Sequence, residues 1–363
     1  MAEPFKNLLN RGGIEAAADR LAQAWPGFDR EAFVRQASTG LDGLEMKARA
    51  MQIADALEAT LPAAFDQAAT VLESAIGRDG GLEGWILWPV GEFVARRGIE
   101  HPDRALRTLH ALTQAFTAEF AIRPFIVRHP QRVFDTLARW VDDPSEHVRR
   151  LVSEGSRPRL PWGLRLDALV ADPSPTLPLL RALQDDESEY VRRSVANHLN
   201  DIAKDHPARV ADWLAEHLPG ASTERRALLR HASRTLIKAG DRRVLAAWGL
   251  DKPFRGEATL TLSPRRVKVG GSLELTLQLQ STHGRAQKLA IDYVVHHVKA
   301  DGRRTPKVFK GWVVELPARG ERTLVKRHSM REVTTRRYHA GRHAIDIQVN
   351  GRVIAAAEFD LSA

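Results

Sequence analysis

The sequence predicts an α-then-β chain of two domains, a helical-repeat region over residues 1–250 and a β-sandwich over residues 256–363. Three observations predict it. Apolar residues recur at three- and four-residue spacing up to about Leu250, and one six-residue motif returns within that stretch. Beyond Trp248-Gly249-Leu250 the period changes to strict alternation. The excess positive charge lies almost wholly beyond that same boundary. A chain of 363 residues is long enough to bury two separate cores.

In the first region the helical period is plain in Ala105, Leu106, Leu109, Leu112, Thr113 and Phe116. Pro and Gly divide the helices, among them Pro102, Pro124, Pro130, Pro144, Gly155, Pro158, Pro161, Pro173, Pro207 and Pro219. The motif Ser145-Glu146-His147-Val148-Arg149-Arg150 recurs as Ser188-Glu189-Tyr190-Val191-Arg192-Arg193, a shift of 43 residues. Each copy follows an acidic turn, Asp142-Asp143 or Asp185-Asp186. This period matches the ~40–47 residues of HEAT-type units. In such a unit Ser or Asp caps the second helix, Val faces the core and the Arg pair lies near the inner face. Further units near Leu44–Leu57, His101–Phe125 and Thr223–Ala239 are more degenerate. Stacked units form a solenoid whose concave side can follow a cylinder, either DNA or a helical or extended peptide.

In the second region alternation marks seven strands: Thr259–Leu262, Leu273–Leu279, Ile291–Val298, Val308–Leu316, Arg322–His328, His343–Val349 and Val353–Phe359. Gly270-Gly271, Asp301-Gly302, Gly320 and Asn350-Gly351 supply turns between them. Such a series predicts a sandwich, here without the disulfide of antibody domains.

Asp251 to Ala363 holds 21 Lys+Arg against 11 Asp+Glu, whereas the remainder of the totals, 33 against 34, is nearly neutral. So basic a domain favours a polyanion, most economically nucleic acid. Its cations gather at Arg303, Arg304, Lys307 and Lys310, and again from Arg319 to Arg342, including Arg336 and Arg337. Lysines on edge strands also discourage aggregation, which accounts for part of the set.

There is no cysteine, which excludes disulfides, thiolate zinc sites, iron–sulfur clusters and a cysteine nucleophile. The 14 His include no helical HxxxH pair with a partner carboxylate, so no metal and no cofactor is expected. The start lacks the pattern of a secretory signal, and no stretch reaches the ~20 apolar residues of a membrane span. A cytoplasmic protein without membrane attachment is the expectation.

Three features of the helical region could carry chemistry. Glu119 is a carboxylate inside the apolar stretch Phe116–Phe125, Glu154 ends the first Arg-Arg helix, and Trp162 follows in the loop Pro161-Trp162-Gly163. The repeat register sets Asn197 where Glu154 stands, with Asp201 one turn further on. Each also has a plain structural reading. Glu119 and Arg123 have i,i+4 spacing, Glu154 has Arg150 and Arg157 within reach, and Trp162 can cap the repeat stack.

Three segments resemble the alkylpurine DNA glycosylases of the HEAT-like-repeat superfamily, in the AlkC branch. They are Thr117–Phe125, Glu146–Gly163 with its Ser-Arg-Pro-Arg-Leu-Pro-Trp-Gly run, and Val191–Ile202. The resemblance covers roughly residues 1–250 and is strongest from Thr117 to Pro207. One branch of that family carries an immunoglobulin-like C-terminal domain, similar to the sandwich read from the strands. The resemblance implies a monofunctional glycosylase acting on double-stranded DNA that contains alkylated bases. It would remove cationic lesions such as 3-methyladenine and 3-methylcytosine, leaving an abasic site, without fully flipping the base. One of Glu119 and Glu154 would stabilise the positive charge developing on the sugar, and the other would orient water. Trp162 would contact the sugar or base through its ring face, and Asp201 would add charge stabilisation or serve as a structural cap. Arg149, Arg150, Arg157, Arg159, Arg192 and Arg193 are the candidate phosphate contacts of the helical region, with Trp25 a further DNA contact. Arg303, Arg304, Arg336 and Arg337 are those of the sandwich. A monomer is expected. The rival readings are a non-catalytic DNA-binding scaffold and a protein-interaction solenoid.

Overall fold

The computed structural model describes residues 4–77, 80–333 and 336–362. Two compact units make up the chain: Met1–Asp205 with Ser222–Ala232, and His206–Ala221 with Ser233–Ala363. The second therefore holds the helices Pro207–His217, Arg234–Ala239 and Arg242–Ala247 together with every strand. Among the described residues no helix is long and apolar enough to cross a membrane.

The first unit is helical, and the 43-residue repeat appears in it as two equivalent helices, Glu146–Gly155 and Glu189–Asp205. Their starts are built alike. Arg149 Nη1 donates to the carbonyls of Asp143 and Pro144 at 2.8 and 3.1 Å, and Arg192 Nη1 to those of Asp186 and Glu187 at 2.6 and 2.8 Å. Asp143 accepts from the Ser145 N–H at 2.9 Å, and Asp186 from that of Ser188 at 2.8 Å. The expected Ser cap is thus replaced at the first copy, where the Ser145 side chain makes no capping bond. Aspartate two residues ahead takes the serine N–H in an Asx turn, and an arginine one turn in satisfies the loop carbonyls. Val148 and Val191 are fully buried, as the register predicts.

The copies differ in length, 10 residues against 17. Gly155 and Pro158 stop the first, and the corresponding positions of the second, His198 and Asp201, let the helix run on. Upstream, the helix Pro102–Ala115 begins on a proline and buries Ala105, Leu106, Thr108, Leu109, Leu112 and Thr113 on one face. Phe116 departs from the expected pattern. It is half-buried, and its backbone leaves the helix there.

In the second unit all seven expected strands form, and a three-residue strand joins them. They are β1 Gly256–Ser263, β2 Arg266–Lys268, β3 Ser272–Ser281, β4 Gln287–Val298, β5 Arg304–Leu316, β6 Glu321–Ser329, β7 Gly341–Val349 and β8 Arg352–Ser362. One sheet runs β1-β3-β6 and the other β2-β8-β7-β4-β5. Alternation directs Leu273, Leu275, Leu277 and Leu279 of β3, and Ile345, Ile347 and Val349 of β7, into the same core. Asn350-Gly351 closes the β7–β8 hairpin with both φ positive, at 49° and 75°.

Three imidazoles are buried in this sandwich: His297, His328 and His343. Their hydrogen bonds involve Arg336, the Tyr293 hydroxyl and the His339 carbonyl. Burial, with Arg336 next, pushes His297 down to about 3 and His328 to about 4, and burial lowers His343 as well. Their folded pKa values lie below the ordinary ~6.5, so between the two values the unfolded chain binds more protons. Stability of this unit is therefore expected to fall as pH drops below about 6.5, by up to ~1.4 kcal/mol per pH unit for each histidine, and these groups add no slope above that. Urea melts from pH 7.5 to 5 measure it, and His328→Phe is expected to flatten the slope. Equal midpoints at pH 7 and 5 would refute the assignment.

Candidate active site

Of the residues singled out in the helical region, Glu119, Arg150, Glu154, Arg157 and Asp201 meet where the first repeat helix ends. Leaving the helix at Phe116 puts residues 117–122 into a turn that carries Glu119 inward. The helix Arg123–Arg128 then begins, with Pro124 in its first turn. Gly155 lets this turn lie against the end of Glu146–Gly155. A Cβ there would stand 2.6 Å from Ile122 Cγ2 and 4.0 Å from Glu119 Cα.

Glu119 and Glu154, 35 residues apart in sequence, are bridged by Arg150. Arg150 Nη1 reaches Glu119 Oε2 at 2.8 Å and the Thr117 hydroxyl at 2.8 Å, while Nη2 lies 3.6 Å from Glu154 Oε1. Its guanidinium also covers the Tyr190 ring, 5.2 Å from the centroid. Glu154 takes Arg157 Nη1 at 2.6 Å on one oxygen and the Ser194 hydroxyl at 2.6 Å on the other. Arg157 continues through Nε to Asp201 at 2.8 Å, and Lys204 binds the second Asp201 oxygen at 2.8 Å. The result is an alternating chain, Glu119–Arg150–Glu154–Arg157–Asp201–Lys204, in which the three carboxylates and Arg157 are buried and Lys204 is exposed. Burial pushes the Glu154 pKa up, but Arg150 and Arg157, with the Ser194 and Arg157 hydrogen bonds, outweigh it and hold the carboxyl below its ordinary value. Glu154 is thus ionised at neutral pH.

Arg123 and His198 brace this chain from beneath. Arg123 is fully buried and donates to the carbonyls of Gly155 at 2.9 Å, Arg157 at 2.7 Å and Leu164. Burial and the neighbouring Arg157 lower it to about 10, so it is a cation at neutral pH. His198 Nδ1 meets the Ser153 carbonyl at 2.9 Å, and burial lowers it to about 4, leaving it neutral.

Not every expected contact forms. Glu119 is paired with Arg150 and not with Arg123, because the two residues lie on different sides of a helix start rather than one turn apart on a single helix. Asp201 lies within a helix, buried, so the capping role does not apply. Trp162 stands outside the ionic chain, 67% exposed with φ +65°, its ring 5.7 Å from that of Phe5. Arg149 is buried and bound bidentately to Asp186 of the next repeat at 2.7 and 3.0 Å. Arg159 grips Asp205 at 2.7 Å through two nitrogens, Arg192 holds its loop carbonyls and Arg193 pairs with Glu189 on the surface. Trp25 is half-buried, folded over Gly27.

In the second unit Arg303 is exposed beside Asp301, Arg304 pairs with Glu358 at 3.0 Å and Arg337 is exposed. Arg336 is half-buried against His297 and Phe309. Sequence reasoning missed Thr117, Tyr190, Ser194 and His198, and named Arg123 only as a partner for Glu119. Only Tyr190 had a signal, since it occupies the register of His147, whose ring it touches with centroids 5.8 Å apart.

Among the described residues no group of three or more His, Asp or Glu side chains is placed to hold a metal ion. An ionised, water-shielded carboxylate flanked by two arginines and a second carboxylate suits the stabilisation of a transient cation, because electrostatic effects are large where water is excluded.

Comparison with known proteins follows the same division. Residues 111–236 match the family described as DNA alkylation repair enzyme, and residues 257–363 match the C-terminal Ig-like domain of the uncharacterised protein YhaZ. YhaZ of Bacillus subtilis is 36% identical over 98% of this chain and 99% of its own length. The alkylpurine DNA glycosylase AlkC of Pseudomonas fluorescens, solved bound to DNA containing an abasic site analog, is 35% identical. It superposes with a TM-score of 0.95 over 99% of this chain and 100% of its own.

Proposed function

Since the chain belongs to the DNA alkylation repair enzymes, on the AlkC-type branch with a C-terminal Ig-like domain, we propose that it hydrolyses the N-glycosidic bond of cationic alkylated bases in duplex DNA. The observation that carries this reading is the buried Glu119–Arg150–Glu154 run with Glu154 held ionised. A base alkylated on a ring nitrogen, such as 3-methyladenine or 3-methylcytosine, already bears positive charge and leaves as a neutral molecule. As the C1′–N bond breaks, its electron pair goes to the base and positive charge moves onto the sugar. Water then bonds to C1′ and loses a proton, and an abasic site remains.

In this reading Glu154 opposes the sugar charge. Its oxygens are committed to Arg157, Ser194 and Arg150, so it is rigid and ionised but has little capacity left to accept a proton. Among the described residues Glu119 accepts hydrogen bonds from Arg150 alone, which leaves lone pairs to orient the attacking water. Trp162 presents an exposed indole that attracts the cationic lesion or the sugar. That the base is reached without full flipping is what the resemblance to the AlkC branch implies. Asp201 supports Arg157. Arg193, Arg303, Arg304 and Arg337 are the exposed arginines proposed to contact phosphates, whereas Arg149, Arg150 and Arg157 act by holding carboxylates.

The test is release of free base from methylated duplex DNA. The protein is expected to release 3-methyladenine and to leave unmodified bases in place. Its duplex affinity is expected to fall linearly on a log–log plot against salt, as counterion release requires. Salt-dependent binding without base release would replace this reading with the non-catalytic scaffold.

A further inference from the structure

We propose that Phe5 is a positioning residue for Trp162, holding its indole at the site through an aromatic line that runs separately from the ionic chain. The inference rests on the glycosylase reading for its functional consequence, and on geometry for the rest. Trp162 has a φ of +65°, in the left-handed region that a bulky L-residue rarely adopts. With 67% of the residue exposed, burial offers little to hold it there. Such strain persists only where neighbours impose it.

Two neighbours do so. The buried Arg123 holds the loop backbone through the Leu164 carbonyl. Phe5 holds the side chain, with ring centroids 5.7 Å apart and planes inclined at 58°. Phe5 in turn stands edge-on to Trp85 at 4.6 Å, and Trp85 edge-on to Phe116 at 5.1 Å. Phe116 opens the turn that bears Glu119. Trp162 is therefore connected to the Glu119 turn by the line Trp162–Phe5–Trp85–Phe116, in which Phe5 is the ring that touches the indole.

The N-terminal segment is built to support this. Phe5 belongs to a single 3-10 turn, Phe5–Leu8, too short to stand alone. Arg49 fastens it. Its guanidinium is buried and Nη1 donates to the carbonyls of Lys6 at 3.1 Å and Leu9 at 2.8 Å, while Nε donates to the Leu44 carbonyl at 3.0 Å. Lys6 adds an ion pair to Glu45 at 2.8 Å. The turn is fastened on several sides, yet its aromatic residue stays 43% exposed against an exposed indole. A ring held in that way contributes little as core and much as a support.

The test combines Phe5→Ala, Phe5→Tyr, Trp162→Ala and the double variant, each checked by thermal melting. Phe5→Ala is expected to keep its melting temperature within a few degrees and its duplex affinity within twofold, and to lower single-turnover excision about tenfold. Phe5→Tyr is expected to restore it. In the Trp162→Ala background Phe5→Ala is expected to add nothing, because its effect passes through the indole. In protein labelled with 5-fluorotryptophan, the 19F resonance assigned by Trp162→Phe is expected to narrow and move toward the free-indole position in Phe5→Ala. Additive losses, or an unchanged Trp162 resonance, would overturn the proposal. An inactive wild type would sink the glycosylase reading alone, since the resonance still decides whether Phe5 holds Trp162.

Discussion

Glu154→Gln is expected to lower base release from alkylated duplex by on the order of 10²–10³-fold while duplex affinity stays the same or rises slightly. The substitution keeps the shape of the side chain. An amide oxygen can still accept from Arg157, and the Ser194 hydroxyl can turn to accept from the new NH2 group, so the contacts at 2.6 Å survive in form. What disappears is one negative charge from a buried site, where such a charge acts strongly on a cation forming nearby. Removing a negative charge near a polyanion does not weaken binding. Part of the effect is structural, because Arg150 and Arg157 lose a counter-charge, but Arg150 keeps Glu119 and Arg157 keeps Asp201. Melting curves recorded beside single-turnover kinetics separate the two contributions. Undiminished excision by a folded Glu154→Gln protein would remove Glu154 from the chemistry, and a matching loss of duplex affinity would make its role structural.

Arg157→Met is expected to have the largest effect on stability, a loss of about 3–5 kcal/mol at pH 7, because it leaves Glu154 and Asp201 buried without the cation between them. Its pH dependence carries the diagnosis. In the wild type the Glu154 pKa is depressed, so its stabilising contribution is present above the unfolded carboxylate value of ~4.3 and is lost as pH falls through the folded value. Without Arg157, burial is opposed by less positive charge and the pKa rises. It is expected to pass the unfolded value, so the folded variant binds the extra proton and gains stability as the pH falls toward it. The deficit relative to wild type is therefore expected to be greatest near pH 7 and to shrink toward pH 5. Urea denaturation at both values measures it, and a deficit that is constant with pH would mean that packing, not charge, is what Arg157 supplies.

The elements that could be read from the sequence are those with a period. The helical spacing in Pro102–Ala115, the alternation in β3 and β7 and the register relating Arg149 to Arg192 all follow from local geometry that repeats along the chain. The three-residue β2 was too short to give such a signal. The burial of Val148 and Val191 was legible for the same reason. Glu119 and Glu154 were found as unusual carboxylates in their segments and Asp201 through the repeat register, and the structure gathers all three into one chain of ion pairs.

Which cation each carboxylate meets was a matter of tertiary structure. Spacing paired Glu119 with Arg123, but the i,i+4 rule holds only along a continuous helix, and the chain turns between them. The partner came instead from Arg150, 31 residues away, and Asp201 met Arg157 across 44. Arg149 has the composition of a surface cation, yet the acidic turn of the following repeat encloses it. The local period of the backbone is written in the sequence because each turn of helix or pair of strand residues must satisfy its own hydrogen bonds and burial. Ion-pair partners and exposed aromatic contacts depend on distances between separate segments, and those distances exist only once the segments have packed.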